Sequence, residues 1–256
     1  MGNLHAGHAS LLRRARVEND RVAATIFVNP LQFNDPTDLA KYPRTMDEDL
    51  SMCRVEKVDV VFAPAVEAMY PPGATTIVQV KGLEDPLCGK SRPGHFVGVA
   101  TVVAKLFNLC PVDRAYFGLK DFQQAALIKR MVRDLNFPIE IRTCPTVRES
   151  DGLALSSRNR RLTPEQRAQA VILSQILAAA QDALRDGEHR VDHLKDRLRP
   201  MILAAPLAEL DYLEFVDPET LEDVNTVKHP TLLAIAAKFG GVRLIDNAVL
   251  SPAGTD

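Results

Sequence analysis

Through the first 145 positions, apolar β-rich runs alternate with stretches whose apolar residues recur every three to four places. That alternation predicts a parallel sheet flanked by helices on both faces. The predicted elements are a helix over 9–19, a strand over 22–28 (VAATIFV), a helix around 45–55 and a strand over 58–64 (VDVVFAP). A helix over 97–109, a short strand over 115–118 (AYFG), a helix over 121–135 and a strand over 139–145 (IEIRTCP) follow. In the 121–135 segment, Phe122, Ala125, Ile128, Val132 and Leu135 form one apolar stripe, read as core, with Lys129, Arg130 and Arg133 outside it.

The pattern changes after Pro145. A polar loop, RESDGLALSSRN, leads to Thr163 and Pro164, a helix start with Thr as N-cap and Pro at the first helical position. A long helix to about Arg185, a second over 192–204, and strands over 210–217, 231–239 and 242–250 complete the chain. The fold class expected is α/β. A Rossmann-like parallel-sheet domain spans 1–146, and a smaller C-terminal α+β lid domain spans 147–256.

Composition narrows the function classes. At 256 residues with 46% apolar content the chain has enough material for two cores. A net charge of −2 and the lack of a basic stripe with interleaved aromatics argue against nucleic acid as a partner. Cys53, Cys88, Cys110 and Cys144 are widely spaced, which suits reduced thiols in a cytoplasm. No apolar run approaches membrane-spanning length, so no membrane partner is expected.

Several polar groups then qualify as chemistry. His5 and His8, three residues apart at a helix start, project from one face of the first turn. They point at a terminus whose N–H groups and dipole favour phosphate. The competing reading is a solvated pair of helix-start residues. Asn29 and Gln32 stand just beyond the carboxyl end of a predicted strand, where α/β sheets bind ligands, or simply form an amide-rich turn. Asp47, Glu48 and Asp49 fall in the first turn of a helix. The helix dipole alone favours acids there, and a Mg²⁺ site reached through ATP phosphates or water is the other reading.

The loop SRPGHF offers Arg92 and His95 for anion recognition, or makes a tight turn. Gly118-Leu119-Lys120-Asp121 joins a strand to a helix, with Gly permitting close approach, Lys a point charge and Asp a cap, and Gln124 lies one turn further in. Leu155-Ser156-Ser157-Arg158 brings two hydroxyls and a guanidinium to a segment suited to a mobile lid over a triphosphate.

Taken together, MGNLHAGH, IFVNPLQF, YPRT, SRPGHF, FGLKDFQQ, DGLALSSRN and RLIDN closely resemble the pantothenate synthetase (pantoate–β-alanine ligase) family of the HIGH-type nucleotidylyltransferase superfamily, in order from residue 1 to 247. The resemblance implies that ATP and pantoate form a pantoyl adenylate and pyrophosphate, and that β-alanine then displaces AMP to give pantothenate. It implies His8 as the catalytic histidine with His5 beside it, and Lys120 and Arg158 offsetting charge with Mg²⁺ as cofactor. ATP contacts are implied at Met1, Gly2, Asn3, Leu4, His5, Ala6, Gly7 and His8, at Gly118, Leu119, Lys120 and Asp121, at Val147, and at Leu155, Ser156, Ser157 and Arg158. Gln32 and Gln124 match substrate-binding positions, with Asn29 and Arg92 added from their chemistry, and a homodimer is implied.

Two departures from the family accompany the match. Leu119 stands where many relatives carry Glu, which predicts a tuned pocket. Relatives also carry about one further strand and helix ahead of the stretch preceding NLHxGH, so the expected sheet lacks its first, central strand. Two other readings are carried: an N-terminally truncated, weakly active or ligand-binding form, and another HIGH-class adenylyltransferase that keeps the adenylyl group in its product.

Overall fold

The computed structural model describes residues 2–34 and 36–252. In chain order the elements begin α1 (Ala6–Glu18), β1 (Ala23–Thr25), a 3₁₀ turn (Pro30–Gln32), α2 (Pro36–Lys41), α3 (Met46–Val55), β2 (Val60–Phe62) and α4 (Val66–Met69). Next come α5 (Cys88–Ser91), α6 (His95–Leu109), β3 (Arg114–Gly118), a 3₁₀ turn (Leu119–Asp121), α7 (Phe122–Asp134) and β4 (Glu140–Cys144). The remainder is a 3₁₀ turn (Ser157–Arg161), α8 (Pro164–Ala170), α9 (Ile172–Arg185), α10 (Val191–Leu203), β5 (Ala208–Val216), β6 (Thr231–Phe239) and β7 (Val242–Leu250). Two compact units result: 1–119 with 123–145, and 120–122 with 146–256.

In the first unit β1 pairs with β2 and β3 with β4, both parallel, as two separate two-stranded sheets. The strands are shorter than the apolar runs predict. β2 runs into Pro64, which has no N–H with which to extend a ladder, and β1 ends with it. Helix α1 packs on β3. Its C-terminal end is tied there by Asn19 Nδ2 donating to Tyr116 Oη at 2.7 Å and by an Arg114 guanidinium N–H donating to the Glu18 carbonyl at 2.9 Å.

Helix α6 carries the apolar centre of this unit. Its run from Gly98 to Ala104 is buried without a break, as expected for a helix with apolar residues all round. Gly98 is required there: a Cβ would lie 2.4 Å from the Leu31 carbonyl oxygen, so only glycine lets α6 approach the turn that carries Gln32. Helix α7 buries a different face from the one predicted. Gln123, Leu127 and Met131 are buried with Ala125 and Ile128, while Leu135 is exposed. The reason is polar. The Gln123 amide donates to the carbonyls of Leu83 (3.0 Å) and Pro86 (2.7 Å), and its oxygen accepts from the Cys88 N–H, pinning the 83–88 loop.

The second unit is a three-stranded antiparallel sheet in the order β5-β6-β7, with α9 and α10 packed on it. Central β6 (TLLAIAAKF) is buried at every position except Lys238, so period-two alternation is absent from it. Leu173, Ile176, Ala180, Leu194, Leu198 and Ile202 from the helices meet Phe215, Leu233, Ile235 and Phe239 from the sheet in one cluster. The single long helix expected after Thr163 is broken at Val171, where adjacent β-branched residues weaken helix continuity. Among the described residues no helix is long and apolar enough to cross a membrane.

Candidate active site

Helix α1 begins at Ala6, three residues earlier than predicted, because His5 itself serves as the N-cap. The Gly7 N–H donates to His5 Nδ1 and the His5 N–H to His8 Nδ1, both at 3.2 Å, a reciprocal box built from two imidazoles. The rings stand 4.1 Å apart and tilted by 45°. Because each Nδ1 accepts from a main-chain amide, the neutral rings carry their proton on Nε2, as donors. The pair thus orients both imidazoles at a helix start, a setting suited to anionic oxygens.

The segment before this helix is held from below. Asn3 adopts the left-handed conformation (φ 58°) and is buried. Its N–H donates to Asp49 Oδ2 at 2.9 Å, and the Leu4 N–H to Asp49 Oδ1 at 2.7 Å. Thr45 Oγ1 also donates to Asp49 Oδ1 at 3.1 Å. Asp49 is 1% exposed, whereas Asp47 and Glu48 are exposed on the outer side of α3. The three acids therefore do not converge on one point, and among the described residues no group of three His, Cys, Asp or Glu side chains is placed to hold a metal ion. Successive helical positions point about 100° apart, and one of the three is engaged in binding main chain. Met1 lies outside the described residues.

Gln32 sits in the 3₁₀ turn after β1, half-buried. Asn29 caps that turn from the interior, 2% exposed, with its oxygen accepting from the Leu31 N–H (3.3 Å) and Tyr70 Oη (2.8 Å). Its Nδ2 donates to the Gly98 carbonyl (2.9 Å) and toward Gln32 Oε1 (3.4 Å). Both ends of the Asn29 amide are thus engaged inside the protein, with Gln32 among its partners. Burial pushes the Tyr70 phenol up to about 12, so it remains a donor to Asn29 at neutral pH.

Arg92 likewise turns inward. It donates to the Gln32 carbonyl at 3.0 Å and lies 3.2 Å from His95 Nε2, while His95 Nδ1 reaches the same carbonyl at 2.8 Å. SRPGHF thus clamps the Gln32 turn through Arg92 and His95. Gln124 stands half-buried in the first turn of α7, next to the structural Gln123.

In the second unit, Lys120 occupies the Leu119–Asp121 turn with a side chain 17% exposed and Nζ 3.6 Å from Asp121 Oδ1. The Leu155 N–H donates to the Val147 carbonyl at 2.9 Å, closing a hairpin that brings these two predicted residues together. Ser156 caps the following 3₁₀ turn by accepting from the Arg158 N–H at 3.2 Å, and this turn packs on β7. The segment is braced within its own unit.

Arg148 donates both guanidinium arms to buried Asp246 (2.6 and 3.0 Å) and one to the Gly152 carbonyl. Arg167 binds both Glu149 and Asp151, holding each carboxyl below its ordinary value. Position along the sequence could not show this bracing, because Asp246 lies 98 residues from its partner. Burial pushes the thiols of Cys53, Cys110 and Cys144 upward, away from thiolate chemistry.

Comparison with known proteins gives a consistent result. The profile of the family described as pantoate-beta-alanine ligase matches residues 1–249. The chain is 54% identical over 254 residues to the pantothenate synthetase of Koribacter versatilis, covering 99% of this chain and 87% of that one. It is also 54% identical to that of Moorella thermoacetica, covering 98% and 88%. Among solved structures, pantothenate synthetase from Thermus thermophilus superposes with a TM-score of 0.95 at 47% identity, covering 98% of this chain and 91% of that one. A pantoate-beta-alanine ligase from Francisella tularensis, complexed with beta-gamma ATP and beta-alanine, gives 0.79 at 36% identity, covering 97% and 87%.

Proposed function

Since the chain belongs to the pantoate–β-alanine ligase family, we propose that it condenses pantoate with β-alanine at the expense of ATP, through a pantoyl adenylate. The observation that carries the reading is the His5–His8 start of α1, where main-chain bonds to both Nδ1 atoms set two Nε2–H donors at a helix N-terminus.

A carboxylate does not acylate an amine directly, so one carboxylate oxygen of pantoate attacks the α-phosphorus and the bond to pyrophosphate breaks. Negative charge grows on the phosphoryl oxygens in that step. Donors fixed in advance stabilise it without reorganising, and one such donor is typically worth about 10²–10³ in rate. His5 and His8 supply imidazole N–H groups, and Lys120 and Arg158 supply cations for the phosphates. Gln32, clamped by Asn29, Arg92 and His95, orients pantoate and β-alanine, and Gln124 contacts pantoate. In the second step the neutral amine of β-alanine attacks the acyl carbon, AMP leaves with the bonding pair, and the amine's extra proton passes to solvent. No enzyme nucleophile is needed.

Mg²⁺ enters with ATP as the counter-ion of its phosphates. The acids at the start of α3 do not fit a carboxylate cage, and no step runs through them. The free cysteines support a reducing compartment, and a homodimer is the proposed assembly. The test is to incubate the protein with ATP, Mg²⁺, pantoate and β-alanine. AMP, pyrophosphate and pantothenate should appear in equal amounts, and failure to form AMP with all substrates present contradicts the reading.

A further inference from the structure

The stretch RLIDN belongs to β7, on which chemistry alone placed no role. Asp246 and Asn247 are successive, so their side chains leave opposite faces of the strand. Asp246, 2% exposed, braces the 148–154 hairpin through Arg148. Asn247 Nδ2 donates to the main-chain carbonyl of Lys120 at 2.9 Å, across 127 positions of sequence. Lys120 lies in a single 3₁₀ turn, and residues 120–122 group with the second unit even though the flanking β3 and the rest of α7 belong to the first. The Asn247 bond is one link that ties this turn to β7. Its partner is a carbonyl, so only a donor serves: an aspartate at 247 would place an acceptor against an acceptor.

We propose that Asn247 is a positioning residue for the adenylation step, fixing the main chain of Lys120 and through it the place of the ammonium against the triphosphate. The inference rests on the ligase reading above. The cation matters while charge develops on the phosphoryl oxygens, and not when the amine attacks the finished anhydride. A small displacement of such a group costs up to about 10²-fold in rate.

The experiment measures two half-reactions in Asn247→Ala and in the nearly isosteric Asn247→Asp. The first is single-turnover pyrophosphate release from ATP and pantoate, and the second is AMP release when β-alanine is added to pre-formed pantoyl adenylate. Pyrophosphate release should fall roughly 10- to 100-fold in both variants, with the second half-reaction changed less than about threefold. Added to Lys120→Ala, either substitution should cost no more than about a further twofold, because the group being positioned is gone. Equal loss in both half-reactions, or an undiminished loss in the Lys120→Ala background, overturns the inference. Wild-type protein that releases no pyrophosphate overturns the ligase reading itself, a result separable from either of these.

Discussion

The main-chain N–H of Asn3 is held at 2.9 Å by the buried carboxylate of Asp49, forty-six positions later in the chain. The neighbouring Leu4 N–H takes the other oxygen at 2.7 Å. Asp49 thereby fixes the approach to the histidine pair, with Asn3 in a left-handed conformation that asparagine tolerates better than most residues. Replacing Asp49 by asparagine sets an amide N–H against a main-chain N–H. The expected cost of Asp49→Asn is about 1–3 kcal/mol in urea unfolding, with a raised KM for ATP. Its Mg²⁺ dependence should match wild type, and a sharply increased Mg²⁺ requirement would return Asp49 to the role of metal ligand.

The histidine pair predicts a separation of activity from stability. His8→Ala removes an N–H donor and one half of the capping box, so adenylation should slow by about 10²–10³ while stability falls by only about 1 kcal/mol. Pyrophosphate release and thermal unfolding, measured on the same preparation, check this. A comparable drop in rate and stability, with activity recovering at lower temperature, would mean that the pair is merely structural.

Tyr70 reaches the substrate turn through Asn29. Tyr70→Phe deletes the 2.8 Å bond to Asn29 Oδ1 while keeping the ring. One such bond is worth about 1 kcal/mol, so KM for pantoate should rise roughly fivefold with kcat little changed. Because the folded phenol titrates at about 12, above its ordinary value of 10, its contribution to stability is full below pH 10. It is lost as pH rises toward 12, and Tyr70→Phe should remove that part of the alkaline decline.

Acid should weaken the fold through identified carboxylates. The Val22 N–H, Arg16 and Arg21 hold Asp59 at about 2, below its ordinary 3.8, and Arg167 holds Asp151 and Glu149 down. Depressed folded values mean that the stabilisation is present above the ordinary carboxylate range and lost as pH falls through the folded values. Urea midpoints should therefore decline steadily from about pH 4.5 toward pH 2, and Asp59→Asn should flatten the lower part of that limb. An unchanged acid limb in Asp59→Asn would remove Asp59 from the account.

Much of the fold is legible from local pattern. β6 and β7 match the predicted 231–239 and 242–250, because long apolar runs bounded by His229-Pro230 and Gly240-Gly241 leave little choice of limits. The site is less legible where partners are distant. His5, His8, Gln32 and Lys120 stand out by residue type and by position at element ends. Asp49 resembles a metal ligand in sequence because its neighbours are acids. Only the fold turns it toward Asn3, and only the fold brings Asn247 to Lys120 and Asp246 to Arg148. Gln123 and Asn29 escape local pattern for a related reason: polar residues that satisfy buried main chain look, in sequence, like surface or ligand contacts.

The central claim is that a carboxylate oxygen of pantoate attacks the α-phosphorus of ATP. Pantoate labelled with ¹⁸O in its carboxylate, turned over with unlabelled ATP and β-alanine, tests it directly by mass spectrometry of the nucleotide product. One ¹⁸O should appear in the phosphate of AMP for each pantothenate formed, with none in pyrophosphate. Unlabelled AMP, or label in orthophosphate beside ADP, would contradict the adenylate route.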